Sequence, residues 1–126
     1  MTVLSELARP APAPAVVEWA RGITHEAISV ISVEEIYFGL SWKPRPRVLA
    51  WFDRFLREHC EVIPVSSDVA KRGGELRGQL RSTGRVRTQA DVLIAATASI
   101  HGLTLVTRNE RDFDGCAIGV LNPFAQ

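Results

Sequence analysis

Apolar residues change spacing along this chain, from short β-branched runs to helical repeats and back, and each change predicts an element. Residues 27–31, Ala-Ile-Ser-Val-Ile, form a run of strand length. Ser32-Val33-Glu34-Glu35 follows directly with the form of a helix capping box, and predicts a helix bearing Ile36, Tyr37 and Leu40, with Gly39 inside it or at its end. Leu49, Trp51, Phe52, Phe55 and Leu56 recur at helical spacing and predict a second amphipathic helix. Residues 61–65 read as a short strand, which Pro64 marks as an edge or a strand end. A third helix opens at Ser67 or Asp68 and runs to Arg81, weakened by Gly73 and Gly74, before Ser82-Thr83-Gly84 breaks it. The clearest helix covers 91–100, opened by Thr88-Gln89-Ala90-Asp91 and closed at Gly102. Residues 103–107 are a strand of buried type, and 117–121 predict a last one.

Ahead of these, residues 3–8 read as a short helical stretch stopped by Pro10. The alternating Pro10-Ala11-Pro12-Ala13-Pro14 is an extended connector, and Val16, Val17, Trp19 and Ala20 give one more short helix ending near Gly22. Strands alternating with helices imply a three-layer α/β/α domain, with helices on both faces of a parallel sheet. On this reading no strand precedes the first helix, so the sheet has three or four strands and lacks its central member.

Composition narrows the setting. The chain has 126 residues, enough for one domain, and is 46% hydrophobic and 23% charged, within the ordinary globular range. No apolar run is long enough to span a bilayer, and Met1-Thr2-Val3-Leu4-Ser5-Glu6 lacks the form of a secretory signal, so the expected location is the cytoplasm. Cys60 and Cys116 stand far apart with no zinc-type spacing and read as reduced thiols. The net charge of +1 is unevenly spread: Lys71, Arg72, Arg77, Arg81, Arg85 and Arg87 face only Glu75 in the same stretch. Such a cluster suits phosphate backbone and equally suits a solvated helix face. The three histidines, His25, His59 and His101, have no serine or acid partner placed by pattern, which argues against histidine-assisted nucleophilic catalysis.

The candidate chemistry lies in the acids. Glu35 falls in the first turn of the helix after strand 27–31, Asp91 in the first turn of the clearest helix, and Asn109 and Asp112 just past strand 103–107. In a parallel α/β sheet, such positions gather in one crevice. Carboxylates brought together repel unless a hard cation neutralises them, and Mg²⁺ or Mn²⁺ in an oxygen site activates water for attack on a phosphodiester. Each acid also has a plainer explanation. Glu35 and Asp91 suit helix starts as capping acids, and Asp112 with Asp114-Gly115 suits a turn.

Two blocks of this sequence resemble a known family. Ser29-Val30-Ile31-Ser32-Val33-Glu34-Glu35-Ile36 with Gly39 resembles the second block of VapC-type toxins, which are PIN-domain ribonucleases. Residues 90–98 and 101–109 resemble the third block and its following strand, and Arg111-Asp112-Phe113 and Leu121-Asn122-Pro123-Phe124 continue the match. Val3-Leu4-Ser5-Glu6-Leu7 resembles the segment after the family's opening Asp-Thr-Asn, which places that Asp just before residue 1. The resemblance therefore implies a single PIN domain over 1–126 that is shortened at its N-terminus, without its first strand and first acid.

The resemblance further implies a metal-dependent endoribonuclease toxin, with Glu35, Asp91, Asn109 and Asp112 as catalytic positions. Of these, Glu35, Asp91 and Asp112 would hold Mg²⁺ or Mn²⁺, while Arg85, Arg87 and Arg108 would meet RNA phosphate. The implied partners are an RNA substrate, a cognate antitoxin and a second copy of the chain, with no membrane. The alternative is a catalytically inactive PIN-like module that binds an antitoxin or a partner subunit. A receiver-like phosphorylation domain shares the α/β alternation but needs paired acids after the first strand, which this sequence does not offer.

Overall fold

Five short parallel strands make one sheet in the order β3-β2-β1-β4-β5. They are β1 (Val3–Ser5), β2 (Glu26–Ser29), β3 (Cys60–Ile63), β4 (Thr104–Val106) and β5 (Val120–Leu121). The computed structural model describes the backbone of residues 3–5 together with residues 26–107 and 109–122. The connector at Pro10–Pro14, the short helix around Val16 to Ala20 and Arg108 lie outside the described residues.

The start of the chain corrects the sequence reading. Residues 3–8 are expected to begin a helix and the central strand to be absent, yet Val3–Ser5 is that central strand. Leu4 and Ser5 pair with Ala27 and Ile28 on one side, and Val3, Leu4 and Ser5 pair with Thr104, Leu105 and Val106 on the other. A strand flanked on both sides in a parallel sheet has no polar face, so its sequence shows no period-2 alternation to read.

Among the described residues four α-helices cover the sheet: α1 (Val30–Trp42), α2 (Pro46–His59), α3 (Ser67–Ser82) and α4 (Gln89–His101). Successive β2 residues point to opposite faces and so seed two cores. Ala27 packs with Ile63, Val69, Leu76, Leu80, Ile94 and Leu105 beneath α3 and α4, while Ile28 packs with Ile36, Leu40 and Phe52 beneath α1 and α2. Pro64 ends β3 at one sheet edge, as its missing N–H requires.

The expected apolar face of α2 is wider than the surface it covers. Phe52 is buried, whereas Leu49 and Trp51 are exposed and Trp51 stacks on Phe55 with ring centroids 5.2 Å apart. The glycines of α3 divide by role. A methyl at Gly73 would meet Leu93 Cδ2 at 3.0 Å and the Val92 carbonyl oxygen at 3.6 Å, so the absent side chain lets α3 lie close on α4. Gly74 and Gly78 have nothing within 4 Å and only cost helix propensity. Gly74→Ala and Gly78→Ala should each raise stability by roughly 0.5–1 kcal/mol in urea unfolding. Neutral or lower values at both sites would mean this exposed face is covered.

Candidate active site

Glu35 is positioned by the way β2 hands over to α1. Ser29, the last strand residue, keeps extended dihedrals, and its Oγ accepts a hydrogen bond from the Ile31 N–H at 3.1 Å. The helix therefore begins at Val30, two residues ahead of the capping box predicted at Ser32, and residues 30–31 are helical. This moves Glu35 from the first turn to the second, where it is half-buried. Ser32, one turn before it on the same side of the helix, is 3% exposed, and its Oγ finds no hydrogen-bond partner among the described residues. A buried hydroxyl left unpaired costs about 1–3 kcal/mol, so an interior polar guest beside Glu35 would relieve a standing penalty.

Asp91 is set by a cap of the predicted kind. Thr88 Oγ1 accepts from the Asp91 N–H at 3.1 Å, and Gly102 closes α4 in the left-handed conformation, as its spacing predicts. Asp91 is half-buried in the first turn of α4. Its charge reaches the buried Cys116 thiol. That thiol is pushed above its ordinary range by burial first, against the nearby Arg87 cation, with Asp91 and Asp114 adding to the rise. Helices α1 and α4 also pack on one another, which brings the two acid-bearing elements together.

Past β4, Thr107 is fully buried and its Oγ1 accepts from the Asn109 N–H at 3.0 Å. Asn109, half-buried, opens a 3₁₀ turn (Glu110–Phe113) whose Asp112 N–H donates back to the Asn109 carbonyl at 3.1 Å. The turn carries Asp112 out to an exposed position, where it lines a cleft with Arg87, Glu110, Arg111 and Asp114. The expectation that Glu35, Asp91 and Asp112 form one ligand set is not met in this arrangement. Among the described residues no three acidic, histidine or cysteine side chains stand close enough to share a metal ion.

The arginines separate. Arg85 Nη1 pairs with Asp114 Oδ2 at 3.8 Å and lies over Gly115, whose φ of +82° and lack of Cβ leave room for it. Arg87 Nη2 donates to the Asp114 carbonyl at 3.3 Å, while its Nε is buried without an acceptor. Asp114 thus ties the α3–α4 loop to the β4–β5 connection, a role the pattern Asp114-Gly115 conceals as a simple turn. Arg108 lies outside the described residues. What this arrangement offers chemically is a pair of half-buried acids on abutting helices, an unpaired hydroxyl near one of them, and guanidinium groups close by. Mg²⁺ takes one or two carboxylates with water and phosphate completing its shell, and carboxylate oxygens are the donors that Glu35 and Asp91 carry.

Both cysteines are free, as expected. Cys60 lies in register with the buried Glu26, and its thiol is pushed up to about 12 by burial first and the Glu26 charge second. In the unfolded chain it ionises near its ordinary value of about 8.5. The raised native value stabilises the fold fully below that pH, and the contribution is lost as pH climbs toward the native value. Urea midpoints should therefore fall above about pH 8.5, by up to about 1.4 kcal/mol per pH unit for this thiol, and Cys60→Ala should flatten the slope. An unchanged slope in that variant would contradict the assignment.

Comparison with known proteins identifies the family and agrees with the fold. The family described as PIN domain matches residues 2–118. A VapC ribonuclease, Y4jK of Sinorhizobium fredii, is 32% identical over 97% of this chain and 93% of its own length. Toxin FitB of Neisseria gonorrhoeae is 28% identical over 97% of this chain and 94% of its own. Among solved structures, FitAcB from Neisseria gonorrhoeae superimposes with a TM-score of 0.78 at 26% identity, covering 100% of both chains. VapBC2 from Rickettsia felis, bound to a promoter DNA fragment, gives 0.79 at 25% identity, covering 97% of this chain and 98% of the other.

Proposed function

Because this chain belongs to the PIN-domain family, in its VapC-type toxin branch, we propose that it is the ribonuclease of a toxin–antitoxin pair, hydrolysing RNA phosphodiester bonds with a divalent metal. The observation that carries the reading is that Glu35 and Asp91 are half-buried on two helices that pack together. When bound, Mg²⁺ or Mn²⁺ supplies neutralisation of the phosphate charge and a lowered pKa for water. Glu35 and Asp91 would hold it, and Asn109 orients a ligand or water beside the end of β4. Arg87 and Arg108 are assigned to RNA phosphate. Arg85 serves the same surface by fixing Asp114.

The RNA substrate puts the protein in the cytoplasm, and no helix among the described residues is long and apolar enough to cross a membrane. Support for an antitoxin partner comes from a relative named toxin FitB and from the structural neighbours FitAcB and VapBC2. The homodimer rests on the family resemblance alone and is read directly by light scattering. Expression of the chain should arrest growth, and Glu35→Gln should release the arrest at equal protein level. Arrest unchanged by Glu35→Gln would remove Glu35 from the site. One observation favours a second reading, an antitoxin-binding module without catalysis: no three-ligand metal group forms among the described residues. That reading predicts antitoxin binding with no cleavage under any divalent ion.

A further inference from the structure

Ser29, Ser32, Thr97 and Thr107 carry the buried hydroxyls of the described residues, and three of the four are used by nearby backbone. Ser29 Oγ accepts from the Ile31 N–H at 3.1 Å, and Thr107 Oγ1 accepts from the Asn109 N–H at 3.0 Å. Thr97, in the middle of α4, donates to the Leu93 carbonyl four residues back at 2.8 Å. Ser32 alone of these has no such bond among the described residues. The cause is where α1 begins. A serine inside a helix commonly donates to the carbonyl four residues back. Ser32 is the third residue of α1, so the carbonyl four back belongs to Ile28 in β2. The cap that Ser32 could have formed is made by Ser29 instead.

A buried hydroxyl in this state lowers the stability of the fold until something outside the chain completes it. Both candidate metal acids lie close along the backbone. Glu35 stands one turn beyond Ser32 on α1. Ile31, the residue before Ser32, packs in the core cluster that contains Ile94 and Ala95, and those two stand one turn beyond Asp91 on α4. The first turn of α1 therefore leads to one acid and packs against the helix that bears the other. Mg²⁺ held by one or two carboxylates keeps several waters, and in a buried site those waters need acceptors.

We infer that Ser32 is a positioning residue for the divalent ion: its Oγ accepts a hydrogen bond from the ion's hydration shell, and the ion-free fold is less stable for keeping it. This role rests on the metal-dependent reading above, and it adds to that reading a residue that touches neither the ion nor RNA. Its test reads ion binding and stability, with no cleavage step.

Mn²⁺ binding to the full chain is measured by the paramagnetic resonance signal of free Mn²⁺, and urea unfolding of the same proteins is measured in EDTA. Wild type is compared with Ser32→Ala, Ser32→Thr and the exposed α1 control Ser41→Ala. Ser32→Ala should weaken Mn²⁺ binding about tenfold. Its urea midpoint in EDTA should equal or exceed that of wild type, because an unpaired buried hydroxyl has been removed. Ser32→Thr keeps the hydroxyl and should keep most of the affinity, and Ser41→Ala should change neither reading. Unchanged Mn²⁺ affinity in Ser32→Ala would overturn the role of Ser32 and leave the metal-dependent reading standing. A lowered midpoint for Ser32→Ala in EDTA would overturn it too, since the hydroxyl would then be satisfied without the ion. No Mn²⁺ binding by wild type would remove the metal-dependent reading itself, and the role of Ser32 with it. If the added methyl of Ser32→Thr lowers that variant's own midpoint, Ser32→Ala decides alone.

Discussion

Asp91→Asn should lower the rate of RNA cleavage by about a hundredfold or more while leaving the fold in place. Loss of a charged ligand to a metal costs several kcal/mol at the transition state, and about 1.4 kcal/mol is a factor of ten. The structural cost is small because the cap uses Thr88 Oγ1 and the Asp91 backbone N–H, neither of which the substitution touches. What the fold loses is one negative charge at a helix start, worth roughly 0.3–1 kcal/mol. The measurement pairs initial cleavage rates with a thermal melt. Cleavage within threefold of wild type would mean that Asp91 serves only the helix.

The largest expected loss of stability comes from Ile94→Ala. Ile94 is fully buried in α4, where its buried companions Ala95, Ala96 and Ala98 are small enough to let α3 settle at Gly73. It is therefore the bulky side chain that fills the space between α4, the sheet and α3. Truncation should cost about 2–5 kcal/mol, against a total stability of about 5–15 kcal/mol for a domain of this kind. Ile94→Val should cost only about 0.5–1.5 kcal/mol. Urea unfolding reads both, and in cells Ile94→Ala should reduce abundance and weaken growth arrest without touching the acids. A loss below 1 kcal/mol for Ile94→Ala would show that the α3–α4 layer collapses onto the gap.

Helix α4 was legible in full because its cap, apolar repeat and closing glycine all state the same boundaries, from Thr88 to Gly102. The edge position of β3 was legible from Pro64 alone. Two features were hidden by physics that spacing does not encode. Ser29 and Ser32 are equally good capping residues by type, and only the extended dihedrals of Ser29 decide which one caps. The central strand β1 is three residues long and hydrogen-bonded on both sides, so nothing in its local sequence distinguishes it from a helix start.

The site was legible in part. Glu35 and Asp91 each lie on a helix whose start is fixed by a side-chain cap, Glu35 one turn further in than its spacing predicts. Asp112 lies exposed on a short 3₁₀ turn past β4, a displacement that its spacing from the strand does not encode. The tie from Asp114 to Arg85 and Arg87 joins residues almost thirty positions apart, a link that only the folded chain reveals. Its consequence for function is indirect: it fixes the loop that carries Thr88 and so the aim of Asp91.

The most direct test of the central claim is metal add-back on the purified 126-residue chain. With single-stranded RNA as substrate, cleavage should be absent in EDTA, appear on adding Mg²⁺ or Mn²⁺, and fail to appear in Glu35→Gln and Asp91→Asn at any metal concentration. A folded chain that binds its antitoxin yet leaves RNA intact with every divalent ion offered would contradict the account and leave the binding module in its place.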